Sequence, residues 1–238
     1  MRKSFLAMLA ITAMTFSVIA QKNDWDKRER IEGSGNVISK DIPVKSFDHL
    51  TAHGVFSLQL SQGDKESVKI EAEDNLIDLI TVKNEGSDLE IEMKKDVNIN
   101  SKKKMIVYVT FKSLKSMYLG MVGSTSSDEQ LKFSDLKFKN QSVGSVNLDM
   151  ALQTLNLENE SVGSLKLKGS ADNAVIKSNS VGSVQAGDFV VQKMDIDNNG
   201  IGGITVNAEK ELKVSESFLG KVNNKGNATV KKKNKVVI

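Results

Sequence analysis

The 238-residue chain contains no cysteine and a single proline, Pro43. Without cysteine there is no disulfide framework and no thiol nucleophile, so stability must come from packing and hydrogen bonding. Histidine is confined to His49 and His53, within one short segment, and arginine does not occur beyond Arg30. Aromatic residues make up 5%, with Trp25, Tyr108 and Tyr118 the only members able to combine a ring with a polar handle. Platforms on which a sugar could stack are therefore scarce. Neither sign of charge dominates: 33 Lys and Arg face 30 Asp and Glu. A near-neutral chain gives no reason to expect a nucleic-acid partner. Apolar content of 39%, without excess glycine or proline, excludes collagen-like and wholly disordered chains.

Arg2 and Lys3 precede an apolar run from Phe5 to Ala20, followed by Gln21-Lys22-Asn23-Asp24. A basic start, an apolar stretch and small residues before a polar segment are the pattern of a secretory signal peptide. Residues 1–20 are expected to be that signal, cleaved after Ala20 with Val18 and Ala20 facing the peptidase. Residues 21–30 are expected to form a mobile charged leader. The mature chain then carries 31 basic and 30 acidic residues, with no further segment apolar enough to span a membrane. The expected location is exported: periplasm, cell surface or extracellular.

What the sequence has in abundance is self-similarity. Met121-Val122-Gly123-Ser124 recurs as Ser142-Val143-Gly144-Ser145, Ser161-Val162-Gly163-Ser164 and Ser180-Val181-Gly182-Ser183, with weaker copies around Gly202 and Gly220. The six central glycines are spaced by 21, 19, 19, 20 and 18 residues. Aligned on that glycine, the sixth residue before it is Phe138, Leu157, Ile176, Ile196 or Val214, and the second after it is Val146, Leu165, Val184, Ile204 or Val222. Polar residues lie between the apolar positions, which is the period-two signature of strands with one buried face.

One such unit cannot bury its apolar face alone, so the units must stack. The expected fold is all-β: a right-handed, single-stranded parallel β-helix (β-solenoid) with coils of about 19–20 residues, each strand about 4.8 Å from its equivalent in the next coil. The repeat glycine is expected at a corner with positive φ. Asn140, Asn159, Ser178 and Asn198 stand at inward positions and are expected to bond one another as an internal ladder. Lys139, Glu158, Lys177 and Asp197 point outward with alternating sign. Residues 31–238 read as one domain, an irregular N-terminal β part at 31–118 that starts and caps the rod, then regular glycine-turn repeats at 119–238. Strands are predicted at 55–60, 67–72, 89–93 and 105–111, with a brief helix at 74–81. Lys231, Lys232, Lys233 and Lys235 are expected to guard an open end against edge pairing.

Taken together, Gly35-Asn36-Val37, Asp41-Ile42-Pro43-Val44, Phe56 to Asp64, Glu71 to Asp78 and the serial glycine turns resemble the auto-transporter adhesin, head GIN domain family, exported domains common in Bacteroidota. The resemblance implies a right-handed parallel β-helix. The family's turn reads Gly-Ala-Gly-Asp, whereas Ser145, Ser164 and Ser183 replace the acid here, so no stacked aspartate ladder is carried over.

Chemistry-bearing groups are few. His49 and His53, in a stretch that reads as a turn entering a strand, are expected to be surface residues. Asp195, Asp197 and Asn199 match the first half of a calcium loop, but its twelfth position is Val206 instead of a bidentate glutamate. They are a weak metal candidate only. No catalytic residue, cofactor or binding residue is assigned. The adopted reading is a non-enzymatic structural or interaction module, adhesion included, with an envelope protein or polysaccharide as partner. The alternatives are a carbohydrate-active enzyme on a β-helix scaffold and a calcium-dependent binding module.

Overall fold

The alternating columns do become strands that stack in register. In the computed structural model, which describes residues 29–233, strand accounts for 69% and helix for 1%, and the strands wind through about six turns of a β-solenoid. The proposed signal at 1–20 and leader residues 21–28 lie outside the described residues. Val143–Asn159 pairs in parallel with Val162–Ser178, which pairs with Val181–Asn198 and then with Ile204–Glu216. Gly144 faces Gly163, and Gly163 faces Gly182, as the repeat spacing requires. Among the described residues, no helix is long and apolar enough to cross a membrane.

Each coil carries two runs of strand separated by the glycine corner. The first run buries Phe138, Leu157, Ile176, Ile196 and Val214, and the second buries Val146, Leu165, Val184 and Ile204. These residues form one continuous core from Phe47 to Ala228. With no disulfide to close the chain, this column of stacked side chains is the main source of cohesion.

The N-terminal part departs from simple winding. On one face, His49–Val55 lies between Asp88–Met93 and Ser116–Val122, all parallel, so spatial order differs from chain order. Ile80–Glu85 closes that face as an antiparallel neighbour of Asp88–Met93. On the other face, Ser57–Gln62 pairs with Ile106–Phe111, which is followed by antiparallel Ser67–Glu73 and Val37–Ile42. The antiparallel strands form the cap: the outermost, Val37–Ile42, is exposed from Val37 to Asp41 and carries Lys40 and Asp41, which discourages edge pairing.

Several local expectations are corrected. His49–Val55 is a strand, not a turn. The helix expected at 74–81 shrinks to a 3-10 turn, Ile77–Leu79, before the strand Ile80–Glu85 begins; Leu76, Ile77 and Ile80 are buried by that turn and strand instead of by a helical face. The leader boundary falls inside a strand, Glu29–Glu32, which pairs with Val97–Asn100 in a small separate sheet.

Candidate interaction surfaces

The glycine corner sets which groups face out. At Gly144, Gly163 and Gly182 φ is +138°, +134° and +139°, and a Cβ on Gly163 would sit 2.0 Å from the carbonyl oxygen of Gly144. The corner is therefore closed to side chains by the backbone one coil below. Two residues before each glycine, Ser142, Ser161 and Ser180 turn inward and are buried. Their hydroxyls serve the internal polar column: Ser142 Oγ donates to Asn140 Oδ1 at 2.6 Å and Ser161 Oγ donates to Asn159 Oδ1 at 2.9 Å. The expected ladder between coils is realised in one bond, Asn140 Nδ2 to Asn159 Oδ1 at 2.9 Å. Ser178 bonds Ser180 within its own coil at 3.0 Å. Asn198 Nδ2 instead donates to the Gly220 carbonyl at 2.7 Å.

The next residue turns out, whether it follows an inward serine, as Val143, Val162 and Val181 do, or Gly54, Met121 or Gly200. Val55, Val122, Val143, Val162, Val181 and Ile201 are 47–56% exposed, and each is the direct neighbour of the next across the ladder. Leu219, at the same position of the following turn, is 60% exposed. The result is an aliphatic ridge along one corner of the rod. It was already visible in the sequence as the valine before the repeat glycine; the burial assigned to the flanking columns drew attention away from it.

The flat face before the corner is polar. Lys139, Glu158, Lys177 and Asp197 are in register as expected, and Lys139 Nζ lies 3.9 Å from both Glu158 and Glu160. A shallow groove of about 470 Å³ runs over this face, lined by Tyr118, Lys137, Lys139, Asn156, Glu158 and Lys177 among others. The ring of Tyr118 meets His53 edge-on at a centroid distance of 4.8 Å, and its hydroxyl donates to Gln141 Oε1. Composition alone did not reveal that one of the two tyrosines pairs with Lys139 and shares a groove with Lys137 and Lys177, since that placement depends on the strand register.

His49 and His53 sit on the same side of one strand, four residues and so about 13 Å apart, too far to share a metal ion. His49 Nδ1 is 2.7 Å from Ser116 Oγ, and its Nε2 is 3.2 Å from Asp48 Oδ1. Lys115 holds the other carboxylate oxygen of Asp48 at 2.6 Å, and that contact keeps the Asp48 pKa below its ordinary value. A serine, a histidine and an aspartate thus meet, but the amides of Lys115 and Ser116 both donate to the Asp48 carbonyl. Those two amides are therefore not available to stabilise an oxyanion.

Asp195 and Asp197 lie on the strand Val181–Asn198, with Asn199 just beyond it; alternate residues are about 6.6 Å apart and do not wrap a common centre. Asp195 is engaged by Lys233, and Asn199 Nδ2 donates to Asp197 Oδ1 at 2.9 Å. Among the described residues, no group of three or more His, Asp or Glu side chains is arranged to hold a metal ion.

The cap contains a buried carboxylate the sequence did not single out. Glu73 is fully buried and accepts hydrogen bonds from Ser101 Oγ at 2.7 Å and from the amides of Gly35 and Lys102 at 2.6 and 2.9 Å. Burial pushes its pKa up, but these hydrogen bonds outweigh that and hold it below the ordinary glutamate value. It ties the loops at 33–36 and 101–103 together.

A family model described as "Putative auto-transporter adhesin, head GIN domain" matches residues 46–228. Among solved structures, a "putative adhesin" from Bacteroides fragilis is similar over 85% of this chain and 99% of its own, with 27% identity and a TM-score of 0.74. A "putative lipid binding protein" from Parabacteroides distasonis (18% identity, TM-score 0.57) and a "putative adhesin" from Parabacteroides merdae (19%, 0.52) each align with 87% of this chain over their full length, and share its fold. No curated protein matches the sequence.

Proposed function

The chain belongs to the auto-transporter adhesin, head GIN domain family, and from that membership we propose that it is an exported, non-enzymatic interaction module of the cell envelope, engaging an envelope protein or polysaccharide. The observation that carries this reading is the registered polar face with its groove at Tyr118, Lys137, Lys139 and Lys177. A rigid solenoid repeats its outward columns at each coil, so contacts that are individually weak add along an extended partner without further ordering of the chain. The family supports an exported or surface location, with the segment at 1–20 acting as the export signal.

The test is attachment of the mature chain to the native envelope, compared with a Lys137→Glu/Lys177→Glu variant. Attachment that falls several-fold in the variant and weakens with salt supports the reading; attachment that is absent, or indifferent to both changes, refutes it. A hydrolase is the second reading, favoured only by the meeting of Asp48, His49 and Ser116. It requires turnover on an ester or polysaccharide panel that Ser116→Ala abolishes. The calcium-dependent reading has less behind it, since Asp195 is already engaged by Lys233.

A further inference from the structure

At Val143, Val162 and Val181 the corner buries a serine and exposes a valine, inverting the usual order of polar and apolar groups, and the exposed line continues through Val122 and Ile201. Folding does not demand this. A threonine would satisfy the strand geometry equally well at a half-exposed position without presenting apolar surface to water. Instead six β-branched aliphatic residues, Val55 to Ile201, stand in line, with Leu219 extending them. The ridge runs about 29 Å at the spacing of parallel strands. Its exposed apolar area is on the order of 500 Å², at the upper end of what a monomer leaves uncovered and a size that usually marks a contact surface.

We propose that this ridge is a self-association surface, on which a second copy of the chain packs with its rod antiparallel to the first. Pitch argues for a second copy. Knobs repeated at strand spacing stay in register with a partner over all seven ridge residues only if the partner has the same repeat, and another copy of this rod has it by construction. The flanks argue the same way. On one side of the ridge stand Ser124, Ser145, Ser164 and Ser183; on the other stand Gln141, Glu160, Asn179 and Asn199. Of these eight only Glu160 is charged, and it lies 3.9 Å from Lys139. Two identical faces can therefore meet with little like-charge repulsion, whereas an anionic membrane would find a single lysine, Lys221 beside Leu219, in these flanking columns. Two ridges together remove about 1,000 Å² of apolar surface, near the lower limit for a specific interface, so the dimer is weak, with a Kd of roughly 1–100 µM.

The geometry fixes the pairing. Val162 is the middle member of the seven, so full overlap about a two-fold axis sets Val162 against its own copy, Val143 against Val181 and Val122 against Ile201. The absence of native cysteine makes this readable by disulfide capture. Under mild oxidation Val162→Cys should form a covalent dimer far faster than Val175→Cys, whose valine is also exposed but lies on the groove face. Mixed Val143→Cys and Val181→Cys chains should cross-link to each other in preference to themselves. In sedimentation equilibrium of the mature chain, Val162→Lys/Val181→Lys should raise Kd at least about tenfold with an unchanged melting temperature. A chain that stays monomeric up to about 1 mM, cross-linking no faster at Val162→Cys than at Val175→Cys, or a lysine variant that dimerises like the parent would each overturn the proposal. Loss of cell attachment in the lysine variant, with the parent monomeric throughout, would assign the ridge to a different partner and overturn it equally. The polar-groove variants leave this surface untouched, so its failure and failure of the adhesion reading are separable.

Discussion

Replacing Gly163 by alanine tests the stacked corner at its tightest point. The added Cβ would lie 2.0 Å from the carbonyl oxygen of Gly144 and 2.9 Å from its carbonyl carbon, while ordinary contacts of this kind settle near 3.5 Å. Both partners are backbone, so no side chain can swing aside. Relief requires the two coils to part by more than about 1 Å at the corner, beyond what a good hydrogen bond tolerates. The bond at stake is that from the Val162 amide to the Ser142 carbonyl at 3.0 Å, which joins the same two coils. Holding an alanine at φ +134° costs about 1–3 kcal/mol, and the weakened hydrogen bond adds about 1 kcal/mol, giving roughly 2–4 kcal/mol in all. For a chain of this size that lowers the melting temperature by about 5–15 °C. Gly86→Ala separates strain from stacking, because Gly86 also has a positive φ, +58°, but nothing stands within 4 Å of its missing Cβ. That variant should cost only about 1 kcal/mol. Thermal unfolding followed by circular dichroism decides the matter: if Gly163→Ala melts within a degree or two of Gly86→Ala, backbone contact between coils is not what reserves the corner for glycine.

Asn159→Ala strips the acceptor from the Asn140 amide and the Ser161 hydroxyl, both buried, and should cost about 2–3 kcal/mol in urea unfolding, against less than about 0.5 kcal/mol for Asn156→Ala on the exposed side of the same strand. Equal effects would mean that the polar column is inert. Glu73 titrates below its ordinary value in the folded chain, so the stability it contributes is complete above the unfolded pKa of about 4.3 and is lost as the pH falls through the folded value. Glu73→Gln should therefore lower the melting temperature at neutral pH and flatten its decline below about pH 4.3; melting curves for the two proteins that run parallel down to acid would contradict the role given to this carboxylate.

What the sequence made legible and what it hid divide along one physical line. Wherever a feature recurs at the coil spacing, identical residues are stacked by identical geometry, and a linear pattern reports three-dimensional neighbours. Gly144 over Gly163, Leu155 over Ala174 and Glu158 over Lys177 were all readable for that reason, and all are paired as the spacing predicts. The strands at 67–72, 89–93 and 105–111 were also readable, because alternation is a local property. Their partners were not. No repeat announces that His49–Val55 slips between Asp88–Met93 and Ser116–Val122, or that Ser67–Glu73 and Val37–Ile42 run antiparallel to form the cap. Those pairings depend on turns that leave no periodic trace.

The same line explains the candidate surfaces. The meeting of His49 with Ser116, and of Tyr118 with His53, crosses from the irregular cap into the first regular coil, across 67 and 65 positions of sequence with no shared motif. The ridge lay on the legible side of the line, but period-two reasoning assigned buried and exposed positions within strands and stopped at the corner. There Ser142, Ser161 and Ser180 face inward to bond the polar column while Val143, Val162 and Val181 face out. Val122 and Ile201 face out equally after Met121 and Gly200, so what turns the side chain out is the backbone path of the corner, which the coils share, and the serines take advantage of the inward place it leaves. In this chain the outward side chain is aliphatic at every regular coil from Val122 to Ile201, and the contact surface proposed for the rod follows from the stacking of that corner.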